Sequence, residues 1–323
     1  MNFKNRLIAL LEENRGNYIS GEEIAEIFNV SRTAVWKMIN GLKEEGYVID
    51  AVKNKGYSLS VRSDVLSVEG IKHYLDNKDK PIYVYQEIES TNNTLKKLAA
   101  EENAPEGTCI ISDYQTRGKG RLGRQFFSPK GSGLYLSFLL RPAGAVSDNL
   151  KLTAQAAVAV YRAVKKVLDI DLDIKWVNDL YYQKKKVCGI LSEGQTSMEA
   201  GKLEFVVVGI GINLYEPENG FPEDIRDKAG TILGKRDQNN SFDRNMLAAE
   251  LIETFYETIK ENELSPEYIE RNIIPGKEIV VIDGTEQRMA EALAILPDGR
   301  LQIREKDGSI KALVFGEVSV KLS

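Results

Sequence analysis

The chain has 323 residues, of which 42% are hydrophobic, 28% charged and 8% aromatic, a composition that excludes disordered, collagenous and membrane-spanning classes. At roughly 150 residues per domain it predicts about two domains, or three if some are small. Lysine and arginine total 43 against 48 aspartates and glutamates, a formal charge of −5, so any contact with nucleic acid rests on a local patch rather than bulk charge. The cysteines, Cys109 and Cys188, lie far apart without a CxxC, and the one histidine, His73, lies in polar sequence. That leaves no disulfide framework, no cysteine zinc site and no multi-histidine metal site, and it fits a reducing cytoplasm. His73 reads as a surface residue. The start, MNFKNRLIALLEENRG, has neither the apolar core nor the small-residue cleavage site of a signal peptide, and nowhere do 18 apolar residues run together.

Phe3, Leu7, Ile8, Leu10 and Leu11 recur at helical spacing before Gly16 and Asn17 break the run. Ser20 caps a second helix, with Glu23 completing a capping box and Ile24, Ala25, Ile27 and Phe28 as its buried face. Ser31 caps a third, RTAVWKMINGLKEEG, with Val35, Ile39 and Leu42 as its apolar stripe. Two β-like runs follow, Tyr47–Val52 and Gly56–Val61, joined by Lys53, Asn54 and Lys55. Three helices and a hairpin predict a winged helix-turn-helix over residues 1–62, in which Ser31, Arg32, Thr33 and Lys37 face base edges and the hairpin tip reaches a phosphate. Nine lysines and arginines against eight acids over this segment give no strong basic signal, so a protein-docking module stays open.

Beyond Asp64 a helix-like stretch leads to the alternating strand IYVYQEI and to Ser90, Thr91 and Asn92, ahead of a helix over Thr94–Glu102. This junction is either a plain N-cap made by Thr91 or Asn92, or a set of short polar groups offered to a small ligand. After the strand TCIISDYQ, the cations Arg117, Lys119, Arg121 and Arg124 alternate with Gly118, Gly120 and Gly123. Glycines let backbone approach a ligand closely and the cations neutralise phosphate or carboxylate, so the loop is built for an anion. GKGRLG matches GxGxxG formally, but a strand, Leu134–Leu140, follows it instead of a helix, and a dinucleotide fold is rejected. Leu152, Ala156, Ala159, Val160, Ala163, Val164 and Val167 make a helical core face. In DLDIKWVNDLYYQKKKVCGILSEG a strand delivers Lys175, then Asn178 and Asp179, to a turn. The chain returns through Lys184 and Lys185, read as exposed tip residues, to Lys186, which borders the apolar strand VCGIL and can be held against a ligand. Gly209 and Gly211 in the strand Phe205–Ile212 imply close approach of something to it, and Asn213 emerges at its end.

Together STN (Ser90–Asn92), GKGRLGR (Gly118–Arg124), KWVND (Lys175–Asp179), KVCGIL (Lys186–Leu191) and GIGIN (Gly209–Asn213) resemble, in order and spacing, the bifunctional biotin protein ligase and biotin operon repressor family. The resemblance covers the whole chain, and the loop and KWxND motifs are specific as a pair. It implies an α+β multidomain protein: a winged helix-turn-helix (1–62), a mixed-sheet catalytic domain similar to class II aminoacyl-tRNA synthetases (63–271), and a small β-barrel (272–323), which suits the short glycine-punctuated strands there. It implies that Ser90, Thr91, Asn92, Gln115, Gly118, Lys119, Gly120, Arg121, Lys186 and Gly189 bind biotin, and that Arg121, Arg124, Phe126, Lys175, Asn178 and Asn213 bind ATP. Lys186, Arg121 and Asp179 would carry catalysis, with Mg2+ arriving on ATP near Asp179. The implied partners are a biotin carboxyl carrier protein, operator DNA and a second copy of the chain on ligand binding, with no membrane.

The residue types fit that chemistry. Biotin's carboxylate attacking the α-phosphate of ATP brings two anions together, which a cationic loop and Lys186 offset, and a glycine-hinged loop shields the resulting mixed anhydride from water. Val177 stands where the family usually has proline, Lys119 where arginine is common and Phe126 where tryptophan is frequent. A lysine at 119 keeps the charge but loses the bidentate fork. Two other readings stay open here: a winged-helix sensor that binds a small anion without turnover, and a lipoate or other acyl-carrier ligase.

Overall fold

The computed structural model describes residues 2–141, 149–196, 203–237, 242–283, 286–314 and 317–320. It forms two compact units, Met1–Asp79 with Lys235–Glu250, and Lys80–Gly234 with Leu251–Ser323. The contacts thus group residues 63–79 and 235–250 with the amino-terminal helices, a division that differs from the three functional segments read in the sequence.

In the first unit α1 (Phe3–Glu13), α2 (Gly21–Phe28) and α3 (Arg32–Glu44) precede the antiparallel hairpin β1 (Ile49–Val52) and β2 (Gly56–Leu59), and α4 (Val68–Tyr74) follows. Ser20 and Ser31 are the caps, accepting from Glu23 N and Ala34 N. Leu7, Leu11, Ile24, Val35, Ile39 and Leu42 form the core. The expected inward face of α2 is corrected at Ile27, which is 49% exposed. Ile24 and Ala25 occupy the inner face of this two-turn helix, and two residues on from Ala25 the helix has turned about 200°. Buried charges tie the later segment to the helices: Arg15 pairs with Glu12 at 2.6 Å and Asp243 at 3.1 Å, and Arg244 with Asp64 at 2.9 Å. His73 is exposed, as expected.

The second unit is built on a mixed seven-stranded sheet. Its elements are β3 (Ile82–Tyr85), α5 (Thr91–Glu101), β4 (Cys109–Ser112), β5 (Gly133–Leu140), α6 (Asn149–Leu168), β6 (Asp173–Lys175), β7 (Asp179–Tyr182), β8 (Lys185–Thr196) and β9 (Leu203–Asn213), followed by α7 (Arg244–Thr258), of which it holds the part from Leu251 on, and α8 (Pro266–Glu270). The strand order is β3-β4-β5-β9-β8-β7-β6, and only β3 and β4 run parallel. Every residue of β5 is buried, because both faces of a central strand are covered, so it reads as a continuous apolar run without alternation. Leu95 and Ala99 of α5 pack on Leu139, Phe205 and Val207, and Phe138 stacks on Phe255 of α7 at 3.9 Å. The remaining strands, β10 (Glu278–Asp283), β11 (Glu286–Ile295), β12 (Leu301–Glu305), β13 (Ile310–Leu313) and β14 (Glu317–Val320), form an antiparallel five-stranded sheet in the order β13-β12-β11-β10-β14.

Candidate active site

The site is a cavity of about 560 Å3 against the central sheet, walled by the start of α5, the glycine-arginine loop, the turn before β7 and the ends of β8 and β9. Its polar floor begins at α5. The cap is Ser90, whose Oγ accepts from Asn93 N, so the plain-cap reading of Thr91 or Asn92 is corrected: both are the first helical residues, and they are buried. That placement frees their side chains. Thr91 donates through N and Oγ1 to Gln115 Oε1 at 2.9 and 3.1 Å. Ser137 Oγ, from β5, lies 2.7 Å from Thr91 Oγ1 and 2.6 Å from Asn92 Oδ1, either of which can accept its single proton. Gln115 Nε2 donates to Ser128 Oγ at 2.9 Å.

The loop is a folded hairpin. Gly120 N donates to Arg124 O at 2.7 Å and Phe126 N to Gly118 O at 2.8 Å, with Leu122, 77% exposed, at the tip at φ +54°. A side chain at Gly118 would meet Phe126 O at 2.4 Å, so glycine is required where the two limbs cross. Lys119, Gly120, Arg121 and Arg124 line the cavity, and Arg121 Nη1 donates to Asn178 Oδ1 at 2.9 Å. Arg117 is not among the lining residues and faces Glu89 at 3.7 Å in solvent. Of the four loop cations, three therefore serve the cavity.

Lys186 is aimed by a β-bulge. Asp179 pairs with Gly189 and Leu180 with Cys188, but Tyr181 pairs with Lys186, leaving Val187 as an extra residue. Strict alternation from Gly189 would turn Lys186 to the opposite face, and the bulge restores it to the side of Asp179 and Gly189. Lys186 Nζ lies 2.7 Å from Asp179 Oδ1, a charge contact without hydrogen-bond alignment. Next to it, burial and the charge of Asp179 push the Tyr181 phenol up to about 12, while burial raises the Cys188 thiol further and leaves it un-ionised. Lys185, read as an exposed tip residue, is corrected: it is half-buried, and its Nζ donates to Asp227 O. Only Gln183 and Lys184 form the exposed tip.

Phe126 packs against the sheet where glycines make room. A Cβ at Gly211 would come within 2.5 Å of its ring and one at Gly189 within 3.1 Å. Lys175, Asn178 and Asn213 also line the cavity, with Asn178 Nδ2 donating to Ile190 O at 2.9 Å and Asn213 Nδ2 to Gly230 O at 3.2 Å. Sequence reasoning missed Ser137, Glu193 and the wall formed by Phe221, Asp224, Ile225 and Lys228. That wall lies in irregular chain between β9 and α7 whose composition carries no signal, and Ser137 sits in a run that reads only as core.

In the first unit Arg32, Thr33 and Lys37 are exposed along α3, whereas the Ser31 hydroxyl is engaged as the helix cap. Trp36, not among the expected readers, is 55% exposed beside them.

Residues 84–213 match the biotin/lipoate A/B protein ligase family and residues 4–58 an HTH domain. The chain is 32% identical over 324 residues to the bifunctional ligase/repressor BirA of Escherichia coli K12, covering 98% of this chain and 96% of that protein. The chain belongs to the bifunctional ligase/repressor family. BirA of Bacillus subtilis 168 is 38% identical over 228 residues, covering 70% of this chain and 69% of that one. The biotin protein ligase of Aquifex aeolicus in complex with biotin and ATP superimposes with a TM-score of 0.61 at 30% identity, over 76% of this chain and all of that one. The family match of residues 84–213 spans the strands, loop and turns that carry the cavity from Ser90 to Asn213.

Proposed function

We propose that the protein activates biotin with ATP to biotinyl-5'-adenylate, transfers biotin to one lysine of a biotin carboxyl carrier protein, and represses biotin genes through its winged helix. The observation that carries the enzymatic reading is one cavity combining a neutral hydrogen-bonding floor, a cationic glycine loop and the bulge-aimed Lys186. A neutral, polar ring and two anionic groups need these three surfaces. Thr91, Asn92 and Gln115 receive the ureido ring, with Ser90 at the helix cap beside them. Phe126, seated on Gly189 and Gly211, walls the nucleotide side, near the adenine.

A carboxylate oxygen of biotin attacks the α-phosphorus, the bond to the β-phosphate oxygen breaks, and pyrophosphate leaves. Lys186 offsets the charge that accumulates between carboxylate and α-phosphate, while Lys119, Arg121 and Arg124 neutralise the phosphates. Asp179 holds Lys186, and Asn178 holds Arg121, so both cations are positioned before the reaction begins. Lys175 and Asn213 complete the nucleotide side. Among the described residues no cluster of three or more metal-ligating side chains occurs, and the carboxylates lining the cavity are Asp179 and Asp224. Asp179 would be the residue to hold a Mg2+ brought by ATP, which would neutralise pyrophosphate charge there. In the second step the acceptor amine attacks the acyl carbon, the amide forms, AMP leaves and the amine loses a proton. The ordered loop keeps water from the anhydride meanwhile.

The three functional segments 1–62, 63–271 and 272–323 are part of this proposal, as are the synthetase-like character of the central sheet, closure of the last five strands into a barrel, a cytoplasmic location, and a homodimer formed with adenylate bound. Arg32, Thr33 and Lys37 read bases, and Ser31 fixes the entry of α3. Incorporation of labelled pyrophosphate into ATP, with biotin and with lipoate, tests the enzymatic reading: exchange with biotin alone supports it, and exchange with lipoate alone or with neither acid overturns it.

A further inference from the structure

Outside the residues that line the floor, one carboxylate is wired into it. Glu193, on β8, accepts from Asn92 Nδ2 at 2.8 Å through Oε2 and from Lys96 Nζ at 2.8 Å through Oε1. Burial raises its proton affinity, but the bonds from Lys96 and Asn92 outweigh this and hold the carboxyl below its ordinary range. An ionised carboxylate only accepts, so it must face the NH2 end of the Asn92 amide. Leu191 O accepts from the same Nδ2 at 3.3 Å. The amide oxygen is thereby turned to Ser137 Oγ, 2.6 Å away, where it competes with Thr91 Oγ1, 2.7 Å away, for the single proton of that hydroxyl. The site of this amide is also sterically fixed, because a Cβ at Gly209 would sit 2.1 Å from Asn92 Oδ1.

We propose that the Lys96–Glu193 pair is a positioning device that sets the amide orientation of Asn92 and, through Ser137, the hydrogen-bonding polarity of the floor that receives the ureido ring. Glutamine at 193 weakens that constraint, leaving the longer bond to Leu191 O as the one that still selects the NH2 end. Its own amide can present either oxygen or NH2, so Asn92 turns over and offers a donor to Ser137. Asn92 and Thr91 then face the ligand with mixed polarity, and one hydrogen bond with its charge-supported partner is lost. Lys96 matters because it keeps Glu193 ionised and extended towards Asn92 from the next turn of α5.

This inference rests on the biotin ligase reading. The test is steady-state biotin-dependent pyrophosphate exchange on the full-length wild type, Glu193→Gln, Lys96→Met and Lys96→Arg, with thermal melting of each. Glu193→Gln raises the KM for biotin about tenfold, with kcat and the KM for ATP changed less than about twofold. Lys96→Met moves the same parameter in the same direction, and Lys96→Arg, which keeps the charge, restores it. An unchanged biotin KM in well-folded Glu193→Gln overturns the inference, as does an equal effect on the KM for both substrates, which a merely structural role would produce. Wild-type protein without biotin-dependent exchange is a different result, since it removes the ligase reading itself.

Discussion

At the scale of single residues, the site depends on side chains placed where backbone alone would not leave room. Phe126 occupies the space that a methyl group on Gly211 would take, with 2.5 Å between ring and ideal Cβ. Gly211→Ala therefore displaces the ring into the cavity and weakens ATP binding about tenfold or more, as overpacking of a fitted surface costs roughly 1–3 kcal/mol. Titration of ATP by calorimetry measures it, and an unchanged affinity would mean that Phe126 does not wall the nucleotide. Local signals made much of this legible. Ser90, Thr91, Asn92, the loop cations Lys119, Arg121 and Arg124, and Lys186 meet at one cavity, while Arg117, marked by the same local pattern, stays outside it. Glu193 and Ser137 could not be read in the same way, because their importance comes from a hydrogen-bonding chain between α5, β5 and β8 that exists only after the sheet has formed.

At the scale of elements, the hairpin of residues 118–126 is held by its own backbone bonds and anchored to the turn before β7 by Arg121 and Asn178. Removing that anchor by Arg121→Gly leaves adenylation possible but the lid loose. The expected outcome is release of adenylate at least tenfold faster, with biotin spreading to lysines of bystander proteins; single-turnover chase of labelled adenylate reads it, and an unchanged release rate would contradict the lid. A second clamp joins α6 to α8. Arg162 bonds Glu261 and Glu267, and the hydrogen bond from Arg162, against the opposing effect of burial, holds the Glu267 carboxyl down to about 2. A folded value below the unfolded one means that the ionised state stabilises the fold. Its contribution is present above the ordinary glutamate range and is lost as pH falls from there through about 2. Urea unfolding of wild type and Glu267→Gln across that window should converge at its acid end and diverge above it. Parallel stability curves would show that the clamp does not couple to folding.

At the scale of the whole molecule, two functions share one chain of −5 formal charge, so DNA affinity cannot come from bulk attraction. Under the proposed repressor reading it comes from α3 and the hairpin tip, which a two-fold dimer would use twice on half-sites a whole number of helical turns apart. If adenylate promotes that dimer, sedimentation equilibrium with ATP and biotin shifts the protein to twice its mass, and neither substrate alone does so. A mass unaffected by both substrates together would sever regulation from ligation. The domain order, helix positions and strand positions were largely legible because caps, glycine turns and hydrophobic periods are local. The packing of residues 63–79 and 235–250 with the amino-terminal helices was not, since it rests on the buried pairs Arg244–Asp64 and Arg15–Asp243 between residues distant in sequence.

The central claim is that the bulge-aimed Lys186 and the cationic loop form the centre at which biotin meets the α-phosphate. The most direct measurement is biotin-dependent exchange of labelled pyrophosphate into ATP by the full-length protein and by Lys186→Ala. Exchange is expected in the wild type, with a rate reduced about 10²–10³-fold in the variant, the scale for removing one preorganised transition-state contact. Wild-type protein that folds but exchanges nothing, or a variant that exchanges at the wild-type rate, would contradict it.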